Sequence, residues 1–180
     1  MAKKSFSDGY YDLISEGYDE LHEAEQIEKL KIISQFLKPE KTENLLDIGC
    51  GSGISTRFFN CKRFGIDSSK KLVKIAEKRD KKGKYVLGNA ENLPFGENEF
   101  DYVISVSAVH NFDDVEKALS EMKRVGKKHF AITLLNKASP EKKKFIEEKI
   151  NDFFRIEKKI SQFHDTVFIL SLIHISEPTR

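Results

Sequence analysis

Asn44-Leu45-Leu46-Asp47-Ile48-Gly49-Cys50-Gly51-Ser52-Gly53 is a short apolar run that reaches an acid and then breaks into alternating glycines. Leu45, Leu46 and Ile48 read as a strand buried on both faces, and the glycines let the chain turn sharply beneath a ligand that side chains would exclude. A phosphate-cradling loop needs Lys and then Ser or Thr after its last glycine; Ile54 and Ser55 stand there instead. A dinucleotide loop needs G-x-G-x-x-G, whereas this one is G-x-G-x-G with Asp47 two residues before its first glycine. A carboxylate at that point repels a pyrophosphate and suits an ammonium group. The ligand these residues favour has an amine, a ribose and little negative charge.

The next acid at a strand end supports this. Lys62-Arg63-Phe64-Gly65-Ile66-Asp67 reads as a second strand, and Asp67 falls about 20 residues after the first, the separation at which an acid takes both hydroxyls of a ribose. Asp67 could instead cap the following helix, but Ser68 and Ser69 already offer that. Tyr85-Val86-Leu87-Gly88 reads as a third strand, which places Asn89 and Ala90 at its carboxyl end, where ligands of open parallel sheets sit.

At 180 residues, 39% hydrophobic and 33% charged, the chain fits one domain with a core. Its 31 basic and 29 acidic residues leave a formal charge of +2, without the global field of nucleic-acid or membrane-surface binders. Cys50 and Cys61 are too few for a disulfide framework or a zinc site and suggest a reducing compartment, the cytoplasm by default. No apolar run is long enough to cross a bilayer, and Met1-Ala2-Lys3-Lys4 is followed by no apolar h-region.

Glu25 to Lys38 reads as a helix with Ile27, Leu30, Ile33 and Leu37 on one face. Before it, Tyr10, Tyr11 and Tyr18 belong to short pieces that either fold over a pocket mouth or pack on the surface. The basic run from Lys70 to Lys84 fits a solvated outer helix closed by Gly83, with an RNA-binding face as the less favoured alternative. Val115, Ala118, Leu119, Met122 and Val125 make an amphipathic helix between Asp113-Asp114 and Gly126. His129 to Leu135 is a fifth strand, and Ser139-Pro140-Glu141 opens a last helix. Arg155 to Ile160 and Thr166 to Leu170 form a closing hairpin, with His164 and Asp165 read as solvated residues at its turn.

Together, Leu45 to Gly53, Gly65-Ile66-Asp67, Gly88 to Phe95 and Phe100-Asp101-Tyr102-Val103-Ile104-Ser105-Val106 resemble class I S-adenosylmethionine-dependent methyltransferases, within them the methyltransferase type 11 domain. The likeness runs from about Tyr10 to Ile169. It implies an α/β, Rossmann-like three-layer fold whose sheet is mostly parallel with an antiparallel C-terminal strand, and S-adenosylmethionine as cofactor. It implies that the Gly49, Gly51 and Gly53 backbone underlies the methionine moiety, with Asp47 near its amino group, and that Ser105 is also among the cofactor-binding residues. Asp67 would hold the ribose, and Asn89 with Ala90 would meet the adenine. The family usually has Asp where Asn89 stands; an amide still offers an acceptor. The sulfonium suits a tyrosine face, Tyr18 foremost. After the fourth strand, Ser107-Ala108-Val109-His110-Asn111-Phe112 lacks the Pro-Pro-aromatic signature of enzymes that methylate exocyclic amines. His110 lies where the acceptor would approach, as a candidate proton acceptor or as a packed edge residue.

The expected division is 1–40 as a helical lid and cover, 41–169 as the cofactor-binding domain, and 170–180 as a tail resembling translated sequencing-library adapter. The expected activity is methyl transfer to a small molecule. The alternatives are an RNA methyltransferase and a non-catalytic cofactor-binding module. A nicotinamide-dependent oxidoreductase is disfavoured by the glycine pattern.

Overall fold

The computed structural model describes residues 18–162 and 164–173, with side chains in the first helix described from residue 23 onward. Its elements in chain order are α1 (Tyr18–Phe36), β1 (Asn44–Ile48), α2 (Ile54–Phe58), β2 (Lys62–Asp67), α3 (Lys70–Arg79) and β3 (Lys84–Leu87). There follow β4 (Phe100–Ser105), a single 3-10 turn (Val109–Asn111), α4 (Val115–Val125), β5 (Gly126–Leu135), α5 (Pro140–Phe153), β6 (Phe154–Ser161) and β7 (Asp165–Leu172).

The seven strands form one sheet in the order β3-β2-β1-β4-β5-β7-β6. Strands β1 to β5 pair in parallel, and β7 runs antiparallel to both its neighbours, β5 and β6. The chain travels outward from β1 to β3, then crosses back to lay β4 on the other side of β1. That reversal opens a crevice at the carboxyl ends of β1 and β4, where doubly wound sheets bind ligands.

Both faces of the sheet are covered. One core joins Leu46, Ile48, Val103, Phe130 and Phe168 to Leu119 and Met122 of α4 and to Ile146 and Ile150 of α5. The other joins Leu45, Ile104, Val167 and Ile169 to Leu30, Ile33 and Leu37, so the helix expected as a cover packs directly on the sheet. Ser69, Asp114 and Ser139 cap α3, α4 and α5 by accepting hydrogen bonds from backbone N–H groups.

Helix α3 stops at Arg79, four residues before Gly83, because Asp80 turns inward to the Arg63 guanidinium. Strand β7 runs through Leu172, past the boundary expected at 170; Leu170 is buried and pairs with Phe130. Among the described residues no helix is long and apolar enough to cross a membrane.

Candidate cofactor and acceptor site

Beyond Ile48 the chain bends over the end of β2, where the N–H groups of Gly49 and Cys50 both donate to the Ile66 carbonyl. Gly49, Gly51 and Gly53 all have positive φ, the region that favours glycine. Their surroundings differ. A Cβ on Gly49 would lie 2.4 Å from the Ala108 methyl, and one on Gly53 would lie 2.9 Å from the Tyr85 hydroxyl. A Cβ on Gly51 would meet nothing within 4 Å. Gly51 is therefore the glycine that faces open space, while the other two let the loop close on its own chain.

Asp67 braces that loop. Its Oδ2 accepts the Gly51 N–H at 2.8 Å and its Oδ1 accepts the Ser69 N–H at 2.9 Å. Burial pushes its pKa up despite those donors. Carboxylate oxygens have further lone pairs, so both contacts leave capacity for a ligand's hydroxyls.

Asp47, wholly buried at the end of β1, accepts from the Ser55 and Thr56 hydroxyls through Oδ2, the latter at 2.7 Å. Among the described residues its buried Oδ1 has no partner, nor has the Ser105 hydroxyl at the end of neighbouring β4. Burial outweighs the two hydroxyls and raises the Asp47 pKa to about 6. An unpaired acceptor of this kind lacks a donor, and a cationic amine is the donor that also relieves its desolvation. The residues thus fit an amine-bearing nucleoside. Asn89 is exposed and Ala90 buried beyond β3. Tyr18 opens α1, but its side chain lies outside the described residues, as do Tyr10 and Tyr11.

A second polar cluster lies beyond the carboxyl ends of β4 and β5. Asp165 is not solvated, as its place at a hairpin turn suggests; it is wholly buried, because β7 inserts between β5 and β6 and sets Asp165 opposite Leu135. Lys29 of α1, also buried, forms an ion pair with Asp165 Oδ2 and donates to Ser107 Oγ at 2.8 Å. Ser107 Oγ lies 3.1 Å from the same carboxylate oxygen, and the Ser107 N–H donates to Thr133 Oγ1 at 2.7 Å. Ser107 has a φ of 54°, a left-handed conformation that non-glycine residues adopt rarely.

His110, half-buried in the 3-10 turn after β4, neighbours this cluster electrostatically. Burial, then Lys142 and Lys29, lower its pKa, while Asp165 acts in the opposite sense. The neutral imidazole that results is a base. Lys29, Ser107, Thr133 and Asp165 carry no motif; the signal in the sequence was only a lysine beside Leu30 on an otherwise apolar helix face. Both thiols are poor nucleophiles, with Cys50 pushed well above its ordinary value and Cys61 raised to about 11 by burial.

Comparison with known proteins places these features in a family. The methyltransferase domain family matches residues 46–132. The demethylmenaquinone methyltransferase of Thermotoga maritima is 32% identical over 153 residues, which cover 80% of this chain and 66% of that protein. The first curated relatives are longer, and matching segments span from 45% to 66% of their length. An S-adenosylmethionine-dependent methyltransferase from Aquifex aeolicus superposes with a TM-score of 0.77 at 18% identity, covering 94% of this chain and all (100%) of that one. The PH0226 protein of Pyrococcus horikoshii gives a TM-score of 0.75 at 17% identity, covering 91% and 98% of the two chains. From Leu46 to Ile132 the chain belongs to the S-adenosylmethionine-dependent methyltransferase domain family, on the class I fold.

Proposed function

We propose that this chain binds S-adenosylmethionine over Gly51 and transfers its methyl group to a small-molecule acceptor that approaches past His110. The observation that carries this reading is the pair of acids at the ends of β1 and β2. Asp47 has a buried oxygen with no partner among the described residues, suited to the ligand's amine, and Asp67 braces Gly51, the glycine of the loop with free space above it.

When bound, S-adenosylmethionine supplies an activated methyl and a thioether leaving group. The protein's part is positional. Asp47 and Ser105 take the amino-acid end, Asp67 the ribose, and Asn89 with Ala90 the base. The loop and cover helix hold the acceptor in line and keep water out. His110 takes the proton that the acceptor loses. The Thermotoga maritima relative, a demethylmenaquinone methyltransferase, supports a small-molecule acceptor here too. The lysines of α3 stand on its exposed face, opposite buried Val73 and Ala76, and give an RNA acceptor no further support.

A thermal-shift titration with S-adenosylhomocysteine tests this. At a hundredfold excess over Kd the stabilisation is about 2.7 kcal/mol, and the rise in Tm should shrink sharply in Asp67→Ala. No rise in the wild type overturns the reading.

Asp47 adds a pH signature. Its folded pKa near 6 means the carboxylate is ionised above that value and protonated below it. The ligand's ammonium binds the ionised form, so affinity should fall as pH drops below 6, by up to about tenfold per unit. Isothermal calorimetry should show this slope in the wild type and lose it in Asp47→Asn. An equal slope in both would exclude Asp47 as the amine's partner.

A further inference from the structure

Two buried polar atoms at the acceptor side have no partner among the described residues: Asp165 Oδ1 and His110 Nδ1. They are chemically complementary. A carboxylate oxygen only accepts, and an imidazole nitrogen donates whenever it carries its proton. The two atoms are not hydrogen-bonded to each other, and the Asp165 charge acts to raise the His110 pKa. Its orientation is set by others, because Lys29 and Ser107 both engage Oδ2 and leave Oδ1 alone to turn elsewhere. Ser107 is itself fixed by its left-handed backbone and its hydrogen bond to Thr133. Ser107, His110, Thr133 and Asp165 stand at one end of the sheet, under Lys29 of α1. β4 and β5 end there, and antiparallel β7 begins there.

We propose that Asp165 is the positioning residue for His110. It receives the Nδ1–H through one bridging water and so leaves the Nε2 lone pair to take a proton from the acceptor. This rests on the methyl-transfer function proposed above and specifies its substrate class. The acceptor must carry a hydrogen to lose, as a hydroxyl or an amine does and a thioether or tertiary amine does not. As the nucleophile's bond to the methyl carbon forms, the S–C bond breaks and its electron pair stays on sulfur. The nucleophile's proton passes to His110 Nε2, and the imidazolium faces the Asp165 carboxylate. Lys29 balances that carboxylate at rest, so the ion pair is neutral until the proton arrives.

The charged groups acting on His110 come from three packed elements: Lys29 on α1, Lys142 on α5 and Asp165 on β7. This defines the test. The full chain, labelled with nitrogen-15 histidine and saturated with S-adenosylhomocysteine, is titrated by NMR. Neutral His110 should carry its proton on Nδ1. Asp165→Asn should lower the His110 pKa, and Lys29→Met should raise it. A proton on Nε2 in the wild type, or a titration indifferent to both substitutions, overturns the proposal. Should Asp165→Asn fail to fold, the wild-type tautomer and the Lys29→Met titration still decide. Calorimetry with S-adenosylhomocysteine is scored separately. Binding with the wrong tautomer sinks the His–Asp couple alone, whereas absence of binding sinks the cofactor reading whatever His110 does.

Discussion

Replacing Asp80 with alanine should destabilise the fold by about 3–5 kcal/mol, the cost of leaving a buried charge without its partner. Arg63 Nε and Nη2 donate to the two Asp80 oxygens at 2.6 and 2.7 Å, and both side chains are almost fully buried, at 10% and 5% exposure. The Tyr85 hydroxyl and the Lys82 N–H donate to the same carboxylate at 3.0 and 3.1 Å. The substitution therefore loosens β2, the end of α3 and the start of β3 together. The guanidinium lowers the Asp80 pKa to about 2, from an ordinary value of 3.8. That difference corresponds to roughly 2 kcal/mol. Because the folded pKa is the lower one, this stability is present above pH 4 and is lost as pH falls toward 2. Urea denaturation at pH 7 and pH 3 measures both effects. Arg63→Met combined with Asp80→Ala should recover part of the loss, since no charge is then left buried alone. A loss under about 1 kcal/mol in Asp80→Ala would show the pair to be solvated.

The second large effect separates two glycines that look alike in the sequence. Gly49→Ala should cost about 2–5 kcal/mol, from left-handed strain plus overlap with Ala108. Its new methyl would sit 2.4 Å from the Ala108 Cβ at a φ of +75°. Gly51→Ala carries only the strain, about 1–2 kcal/mol, and should remain folded. Its methyl points into the open side of the loop, so Gly51→Ala should fold yet show no thermal shift with S-adenosylhomocysteine. Denaturation and ligand titration of the two variants, run side by side, check this. Binding retained in Gly51→Ala would mean that the ligand lies elsewhere.

Much of the fold was legible because it is encoded locally. Apolar Leu45-Leu46 and Phe64 to Ile66 each end on an acid, and the intervening glycines admit only a tight strand-to-helix turn. The hairpin of β6 and β7 was legible as two β-rich runs around a turn, and its antiparallel place in the sheet came from the family resemblance. The two acids of the candidate cofactor site were legible in place, since Asp47 and Asp67 sit at strand ends that periodicity locates. The acceptor half was not. Asp165 follows a histidine in what reads as a turn, and only the insertion of β7 between β5 and β6 buries it. Lys29 and Asp165 are far apart in the chain, so no local pattern joins them. Asp80 was hidden likewise: its partner Arg63 lies in the preceding strand, and a run of lysines masks the early end of α3.

The position of β7 also bears on how the chain is made. Ribosomes deliver β6 before β7, yet β6 is hydrogen-bonded to the sheet only through β7. Until residue 165 has emerged, β5 presents an open edge bearing Phe130, Ile132 and Leu134, and Lys29 waits for its counter-ion. A nascent or truncated chain lacking that last strand exposes a sticky border of the kind that recruits chaperones or seeds aggregation.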